Sequence, residues 1–185
     1  KEVRGTFEDT IEVAKEDSTI HVQIIARDGR TMKKYLVNVY KAAYLSDLTY
    51  ASNSTVGYGS IMKDQSTDGN PLRLINENGQ PVSFEKGIGT HATSTIYYDL
   101  SAYDFTRLTG YAGLDYEVYG NENSSITFGI NVTKNGSDTQ VFATGELRGT
   151  SPMQPIDIDL TDEDKTYLRL KWGKAYKPEE WVRLE

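Results

Sequence analysis

The stretch "SITFGINV", residues 125–132, decides the fold class. Apolar residues alternate along it with small or polar ones. Successive side chains of a β-strand point to opposite faces of the sheet, so this period of two predicts a strand with one buried and one solvated face. The predicted core face carries Ile126, Phe128, Ile130 and Val132, and the opposite face carries Thr127, Gly129 and Asn131.

Similar short runs recur from residue 44 onward, and turn signals such as Asn78-Gly79 and Asn135-Gly136 separate them. About eight strands at this spacing are typical of a sandwich of two antiparallel sheets. We therefore predict an all-β, jelly-roll-like antiparallel β-sandwich. The other strand candidates are "RLINENGQPVSF", "STIYYDL", "FTRLTGYAGL", "QVFATGEL", "PIDIDL" and "TYLRLKW".

The first 42 residues form a separate region with a hairpin pattern. The runs "TIHVQII" and "KKYLVNVY" flank the turn signal Asp28-Gly29. Two strands are marginal without a further layer. We expect either that "EVRGTFEDTIEV", residues 2–13, adds a third strand, or that residues 1–42 are part of a larger domain. The predicted division is thus a β segment or linker over 1–42 and a β-sandwich over 43–185.

Composition narrows the range of functions. The chain of 185 residues has a net charge of -7, which argues against nucleic acid or an anionic membrane surface as the main partner. It has no cysteine, so disulfides, thiol catalysis and thiolate zinc sites are excluded. The longest apolar runs fall far short of the roughly 18 residues needed to span a bilayer.

Enzyme chemistry finds little support. His21 lies in the middle of a predicted strand, and neither it nor His91 belongs to a metalloprotease, P-loop or dinucleotide motif. Two carboxylate pairs have the spacing of one strand face, and a small glycosidase would need such a pair. We expect both pairs to be ordinary surface charge, and the protein not to be an enzyme. The pairs are Asp115 with Glu117 and Asp157 with Asp159.

Three motifs in order resemble one known family. They are "KDxSxDGNPL" at 63–72, "KGxGTHAxSxIxYDL" at 86–100 and "GxDxEV" at 113–118. The region 44–172 resembles the NPCBM module, also called family 51 carbohydrate-binding module. The resemblance implies a non-catalytic β-sandwich of a secreted or surface-exposed bacterial multimodular protein, one that binds galactose-type or blood-group-like glycans through its end loops. Residues 19–42 resemble the last strands of a cadherin-like β-sandwich.

A sugar site needs planar hydrogen-bonding groups for hydroxyls and an aromatic face for the ring. Alternative structural roles are a buried His91 bonding to backbone, Trp172 and Trp181 as packing residues, and Lys63 and Arg73 as solvated charges. We predict that the ligand-binding residues are His91, Tyr58, Lys63, Asp115, Glu117, Tyr116 and Trp181, with Arg73 and Trp172 as further candidates.

The turn "STDGNP", residues 66–71, offers a carboxylate and several carbonyls to a hard cation. We expect a structural calcium ion held by Asp68 and Glu180, although the stretch can also form a turn without a metal.

The C-terminal stretch "GKAYKPEEWVRLE" departs from the family pattern, because it lacks the histidine of the family's "DHADWADAKL"-like ending. This departure favours an alternative in which the module is a structural spacer. The expected partners are a galactose-containing glycan and other modules of the same polypeptide, with the chain itself a monomer.

Overall fold

A computed structural model describes residues 18–25, 30, 32–39, 42–121, 123–161 and 165–174. Contacts within the chain divide it into two compact units, Lys1–Ala42 and Ala43–Glu185. The third strand considered for residues 2–13, the Asp28-Gly29 turn, Glu180 and Trp181 lie outside the described residues.

In the first unit, β1 (Ser18–Ile25) pairs with β2 (Met32–Val39) as an antiparallel hairpin. Val22 pairs with Tyr35, and His21 with Leu36. Apolar side chains are exposed on both faces, and Leu36 reaches 66% exposure. The hairpin predicted from the alternation is confirmed.

The described part of the second unit contains eleven strands. They are β3 (Met62–Lys63), β4 (Leu72–Ile75), β5 (Pro81–Phe84), β6 (Ile88–Gly89), β7 (Ser94–Asp99), β8 (Arg107–Ala112), β9 (Ser125–Lys134), β10 (Ser137–Ala143), β11 (Leu147–Arg148), β12 (Gln154–Asp159) and β13 (Lys165–Lys174).

The main sheet has the strand order β10-β9-β13-β7, with β11 also paired to β9. The remaining strands form three two-stranded ribbons, β8–β12, β3–β6 and β4–β5. Every pairing is antiparallel. The stretch that decided the fold class lies within β9, which is bordered by strands on both sides.

The core lies between the main sheet and the β8–β12 ribbon. Phe128 and Ile130 are 5% and 1% exposed, as their alternation predicts. They pack with residues of β13 and β7 on the sheet side and with Ala112 and Ile158 on the ribbon side. Burial raises the pKa of the Tyr98 hydroxyl in this core. Two facing antiparallel layers around one core confirm the predicted all-β sandwich.

The 3-10 turn Tyr116–Val118 is the only helical element among the described residues. Within that part of the chain, no helix has the length and apolar composition required to cross a membrane. The predicted turn at Asn78-Gly79 is present, and Gly79 has a positive φ of 74° that suits glycine.

Candidate functional site

Tyr58 and His91 come together from two loops. Their rings meet edge to face, with centroids 5.3 Å apart and planes inclined by 70°. Tyr58 is 75% exposed, as its glycine neighbours predict, whereas His91 is half-buried. The His91 imidazole makes no hydrogen bond to the described residues, so its nitrogens are available to a ligand. The alternative of a ring bonded to neighbouring backbone is not what the structure shows.

The loop of Tyr58 is pressed against the loop of His91. A Cβ atom added to Gly57 would lie 2.6 Å from the Thr93 nitrogen and 2.8 Å from its oxygen. Below, Ser94 is buried and donates a hydrogen bond to the His91 carbonyl, and Thr90 donates to the Ser94 hydroxyl at 2.9 Å. These contacts hold the Tyr58–His91 pair in a defined place at the start of β7.

Asp115 and Glu117 do not share a strand face, because their segment forms the 3-10 turn rather than a strand. Asp115 is the N-cap of the turn, and its Oδ1 accepts from the Glu117 N–H at 3.0 Å. Its Oδ2 accepts from the Arg73 N–H at 3.0 Å. The Asp115 carboxylate therefore joins the turn to β4.

Glu117 fixes the turn 66–70. Its Oε1 accepts from the Ser66 hydroxyl at 2.9 Å and from the Asn70 Nδ2 at 2.6 Å. Ser66 is only 2% exposed and itself accepts the N–H groups of Asp68 and Asn70, both at 3.2 Å. The "STDGN" motif and the "LDYEV" motif are thus two halves of one hydrogen-bonded structure.

Tyr116 and Arg73 are engaged with each other. The Arg73 guanidinium carbon lies 5.2 Å from the centroid of the Tyr116 ring, within the range of a cation–π contact. Tyr119 stacks against the same ring at 5.1 Å. Arg73 is therefore a packed residue and not the solvated charge considered as its alternative.

Lys63 and Trp172 also have structural contacts. The Lys63 Nζ donates to the Leu48 carbonyl at 2.6 Å and lies 6.0 Å from the Tyr50 ring centroid. Trp172 packs on Phe128 with ring centroids 4.9 Å apart, beside the core. Trp172 is therefore a packing residue, the structural role that the sequence analysis gave as the alternative to ligand binding.

The second carboxylate pair lies on the outer face of the β8–β12 ribbon. Asp157 forms a two-point ion pair with Arg107, at 2.7 and 2.6 Å, which lowers the pKa of its carboxyl. The Asp159 Oδ1 accepts from the Thr161 N–H at 2.8 Å, and this bond lowers its pKa too. Both groups stay ionised, which is the opposite of what a general acid requires.

Asp68 is exposed in the turn 66–70, and Gly69 beside it has a φ of 83°. No group of three or more carboxylates or histidines among the described residues is arranged to hold a metal ion. Because Glu180 lies outside those residues, the calcium site stays a prediction.

Gly89 lies where the turn 66–70 meets the segment that leads to His91. This contact accounts for the glycine-rich sequence before His91. A Cβ atom there would lie 2.4 Å from the Gln65 carbonyl oxygen, beside Ser66. The turn held by Glu117 thus packs against the end of β6, two residues before His91. The sequence analysis did not identify the structural roles of Ser66 and Gly89. The available signal was the glycine spacing in "KGxGTH", to which Gly89 belongs.

The comparison with protein families matches residues 41–182 to the NPCBM/NEW2 domain. The chain belongs to the NPCBM/NEW2 domain family. A family 51 carbohydrate-binding module of a Clostridium perfringens family 95 glycoside hydrolase, solved with methyl-galactose, is 34% identical. It covers 73% of this chain and 88% of its own, with a TM-score of 0.66.

A second solved structure holds the CBM51-2 and INT domains of Clostridium perfringens ZmpB. It is 26% identical with a TM-score of 0.65, covering 92% of this NPCBM chain and 36% of its own. Since residues 43–185 are 143 of the 185 residues, or 77%, this match also includes part of the first unit.

The curated "Putative endo-alpha-N-acetylgalactosaminidase" of Renibacterium salmoninarum is 33% identical over 119 residues. The match takes in 55% of this chain and 7% of that protein. The NPCBM chain therefore corresponds to a small part of this relative.

Proposed function

We propose that residues 43–185 are a non-catalytic module that binds a galactose-type glycan through the loops of Tyr58 and His91. The observation that carries the proposal is the pair itself: a tyrosine 75% exposed, held edge to face by a half-buried imidazole. The family membership and the methyl-galactose bound by the 34% identical relative support the same ligand class.

The pair offers the two kinds of contact that a pyranose needs. The exposed face of Tyr58 can cover the C–H side of the sugar ring. The His91 imidazole brings two ring nitrogens that can hydrogen-bond to neighbouring hydroxyl groups. The Asp115 and Glu117 carboxylates support the site indirectly, since they accept hydrogen bonds from Ser66, Asn70 and backbone N–H groups of the protein itself.

A hydrolytic role has less support. Glycoside hydrolysis requires one carboxylic acid with a raised pKa beside an ionised partner. Asp115 and Glu117 cap and brace a turn, and Asp157 is held ionised by Arg107. The module therefore serves to bring a substrate to a catalytic domain elsewhere in an exported, multimodular protein, where it acts alongside other modules.

Calorimetric titration with methyl galactoside and N-acetylgalactosamine, with and without calcium, tests the proposal. Binding of a single sugar in the millimolar range corresponds to about -4 kcal/mol, so high concentrations are needed. We expect His91→Ala and Tyr58→Ala to weaken binding about fivefold or more. Tyr111→Ala, an exposed tyrosine on β8, is the matched control and should bind as the parent does.

A change that moves the loop without touching the ligand provides a further test. In Gly57→Ala the new methyl group clashes with the Thr93 backbone, so the loop of Tyr58 must shift relative to the loop of His91. We expect weaker galactoside binding in a folded protein. Gly145→Ala, which meets no atom within 4 Å, should change nothing.

Heat release that is equal in the parent and in both ring variants would place the sugar elsewhere. Silence of the parent toward every sugar, with calcium present, would leave the structural spacer as the better account.

A further inference from the structure

The outer face of the main sheet carries a continuous set of planar polar groups that the loop site does not use. At one level across the sheet, Gln140 on β10 pairs with Asn131 on β9, Asn131 with Arg169 on β13, and Arg169 with Tyr97 on β7. Neighbouring strands lie about 4.8 Å apart, so this row of four side chains crosses the whole sheet at regular intervals.

The row is joined to a second level. Asp138 accepts from the Asn131 Nδ2 at 3.3 Å and forms an ion pair with the Arg169 guanidinium. At this second level Asp138 pairs with Thr133, and Thr133 pairs with Tyr167, whose side chain is 43% exposed. The face thus combines two amides, a carboxylate, a guanidinium and two tyrosines, the groups that hydrogen-bond to sugar hydroxyls and cover sugar rings.

Three further features separate this face from an ordinary solvated one. The Arg169 Nε is buried and lacks a hydrogen-bond partner among the described residues. Gly129 in the middle of β9 leaves room for the Gln140 side chain, whose Nε2 lies 3.4 Å from where a Cβ atom would stand and 3.5 Å from the Phe142 carbonyl. The pairing of β10 with β9 shifts at Val141, and such irregularities re-aim neighbouring side chains next to binding sites.

The charge on the face fits an uncharged ligand. Arg169 and Lys171 are balanced by Asp138 and Asp99, so the surface has neither the basic excess that a phosphate or sulfate chain needs nor a strong acidic field. Its length across four strands suits a chain of sugars rather than one ring.

We propose that this face is a second glycan-binding surface, for a neutral linear oligosaccharide that lies across β10, β9, β13 and β7. It extends the proposed function, since it also requires the module to bind glycans, but it does not use the loops of Tyr58 and His91. Single sugars then bind the loops, and longer chains bind both places.

Amide chemical shifts of the full chain separate the two surfaces. The probes are methyl galactoside and a linear tetrasaccharide of alternating galactose and N-acetylglucosamine. We expect the monosaccharide to shift only amides near residues 57–59 and 90–93. The tetrasaccharide should also shift amides within 129–133 and 167–171. Tyr167→Ala and Asn131→Ala should weaken the sheet response about fivefold and leave the loop response intact.

Tyr111→Ala is the matched control on the β8–β12 ribbon and should leave both responses unchanged. A tetrasaccharide response confined to the loops overturns the sheet proposal alone and leaves the face to solvent or to another module. A sheet response that survives both Tyr167→Ala and Asn131→Ala overturns it as well. No response to either probe overturns both proposals.

Discussion

At the scale of single residues, the Ser66 hydroxyl organises the turn that precedes β4. It accepts two backbone N–H groups, from Asp68 and Asn70, and donates its own proton to the Glu117 carboxylate. A buried hydroxyl with all of its hydrogen-bonding capacity in use is sensitive to the loss of any partner. Glu117, which accepts the Ser66 proton, lies 51 residues further along the chain.

Replacing Glu117 tests this role. Glu117→Ala leaves the Ser66 proton and the Asn70 amide without their acceptor, and we expect a loss of about 1–3 kcal/mol in the free energy of unfolding. Glu117→Gln keeps an acceptor oxygen and should lose less. Urea unfolding at neutral pH measures both. Glu77→Ala, at an exposed turn position, is the control, and equal stability of all four proteins would contradict this role.

At the scale of elements, the β3–β6 ribbon is too short to hold itself together. Each strand has two residues, and an ionic cluster continues the pairing. The Asp64 Oδ1 accepts from the Gly87 N–H at 3.0 Å, and the Lys86 Nζ bridges Asp64 at 3.0 Å and Asp47 at 2.5 Å. The Ser46 hydroxyl, the Gly87 N–H and Lys86 lower the pKa of Asp64 to about 2.

This lowered pKa predicts an acid-sensitive contribution to stability. Because the folded-state pKa of Asp64 lies below the ordinary 3.8, its contribution is complete above about pH 5 and disappears as the pH falls through about 2. The Ser46 oxygen has no hydrogen bond of good geometry, so the prediction rests on the bonds from Gly87 and Lys86.

The test compares urea unfolding of the parent and Asp64→Asn at pH 5, 4, 3 and 2. Asparagine tolerates the positive φ of 60° at this position, so the backbone is preserved. We expect Asp64→Asn to be less stable at pH 5, with the gap closing toward pH 2. Curves that stay parallel across the range would show that Asp64 contributes no pH dependence.

Sequence patterns predicted the elements whose side chains alternate over many residues. The run 125–132 gave a correct strand and a correct core face, because a buried face requires apolar residues at every second position. The same period of two gave a wrong prediction at 115–117. Asp115 and Glu117 were expected to share a strand face, but they belong to a capped turn. There the competing signal was the preference of aspartate for the N-cap.

The candidate site was predicted only in part, for a physical reason. The exposure of Tyr58 follows from its flanking glycines, which is local information. Its contact with His91, and the bond of Ser66 to Glu117, depend on how distant segments pack. Arg169 and Asn131 were not singled out from the sequence. In a sequence pattern, a polar residue on an outward strand face looks the same whether it contacts water or a ligand.

At the scale of the whole molecule, the two units differ in how they bury apolar surface. Among the described residues, every member of the buried core cluster lies between Ile96 and Leu170. The hairpin of the first unit instead exposes Ile24, Ile25 and Leu36 by 55%, 55% and 66%. Stability therefore resides in residues 43–185, and the hairpin is a source of exposed apolar surface.

Deleting residues 1–42 tests this division. We expect the remaining chain to melt within about 3 °C of the parent, the shift produced by roughly 1 kcal/mol in a domain of this size. Fluorescence of a dye that binds apolar surface should fall, since the exposed hairpin side chains are gone. Calorimetry and dye titration measure the two quantities. A drop of 10 °C or more would show that the first unit is needed for the core.

The position of β13 in the main sheet has a consequence for the timing of synthesis. Residues 165–174 lie between β9 and β7, which do not pair with each other. A growing chain that has reached residue 160 therefore contains β9 and β7 but lacks the strand that lies between them. The main sheet cannot close at that stage. It therefore cannot be completed until residues 165–174 have left the ribosome, so the earlier strands wait for a segment near the end of the described chain.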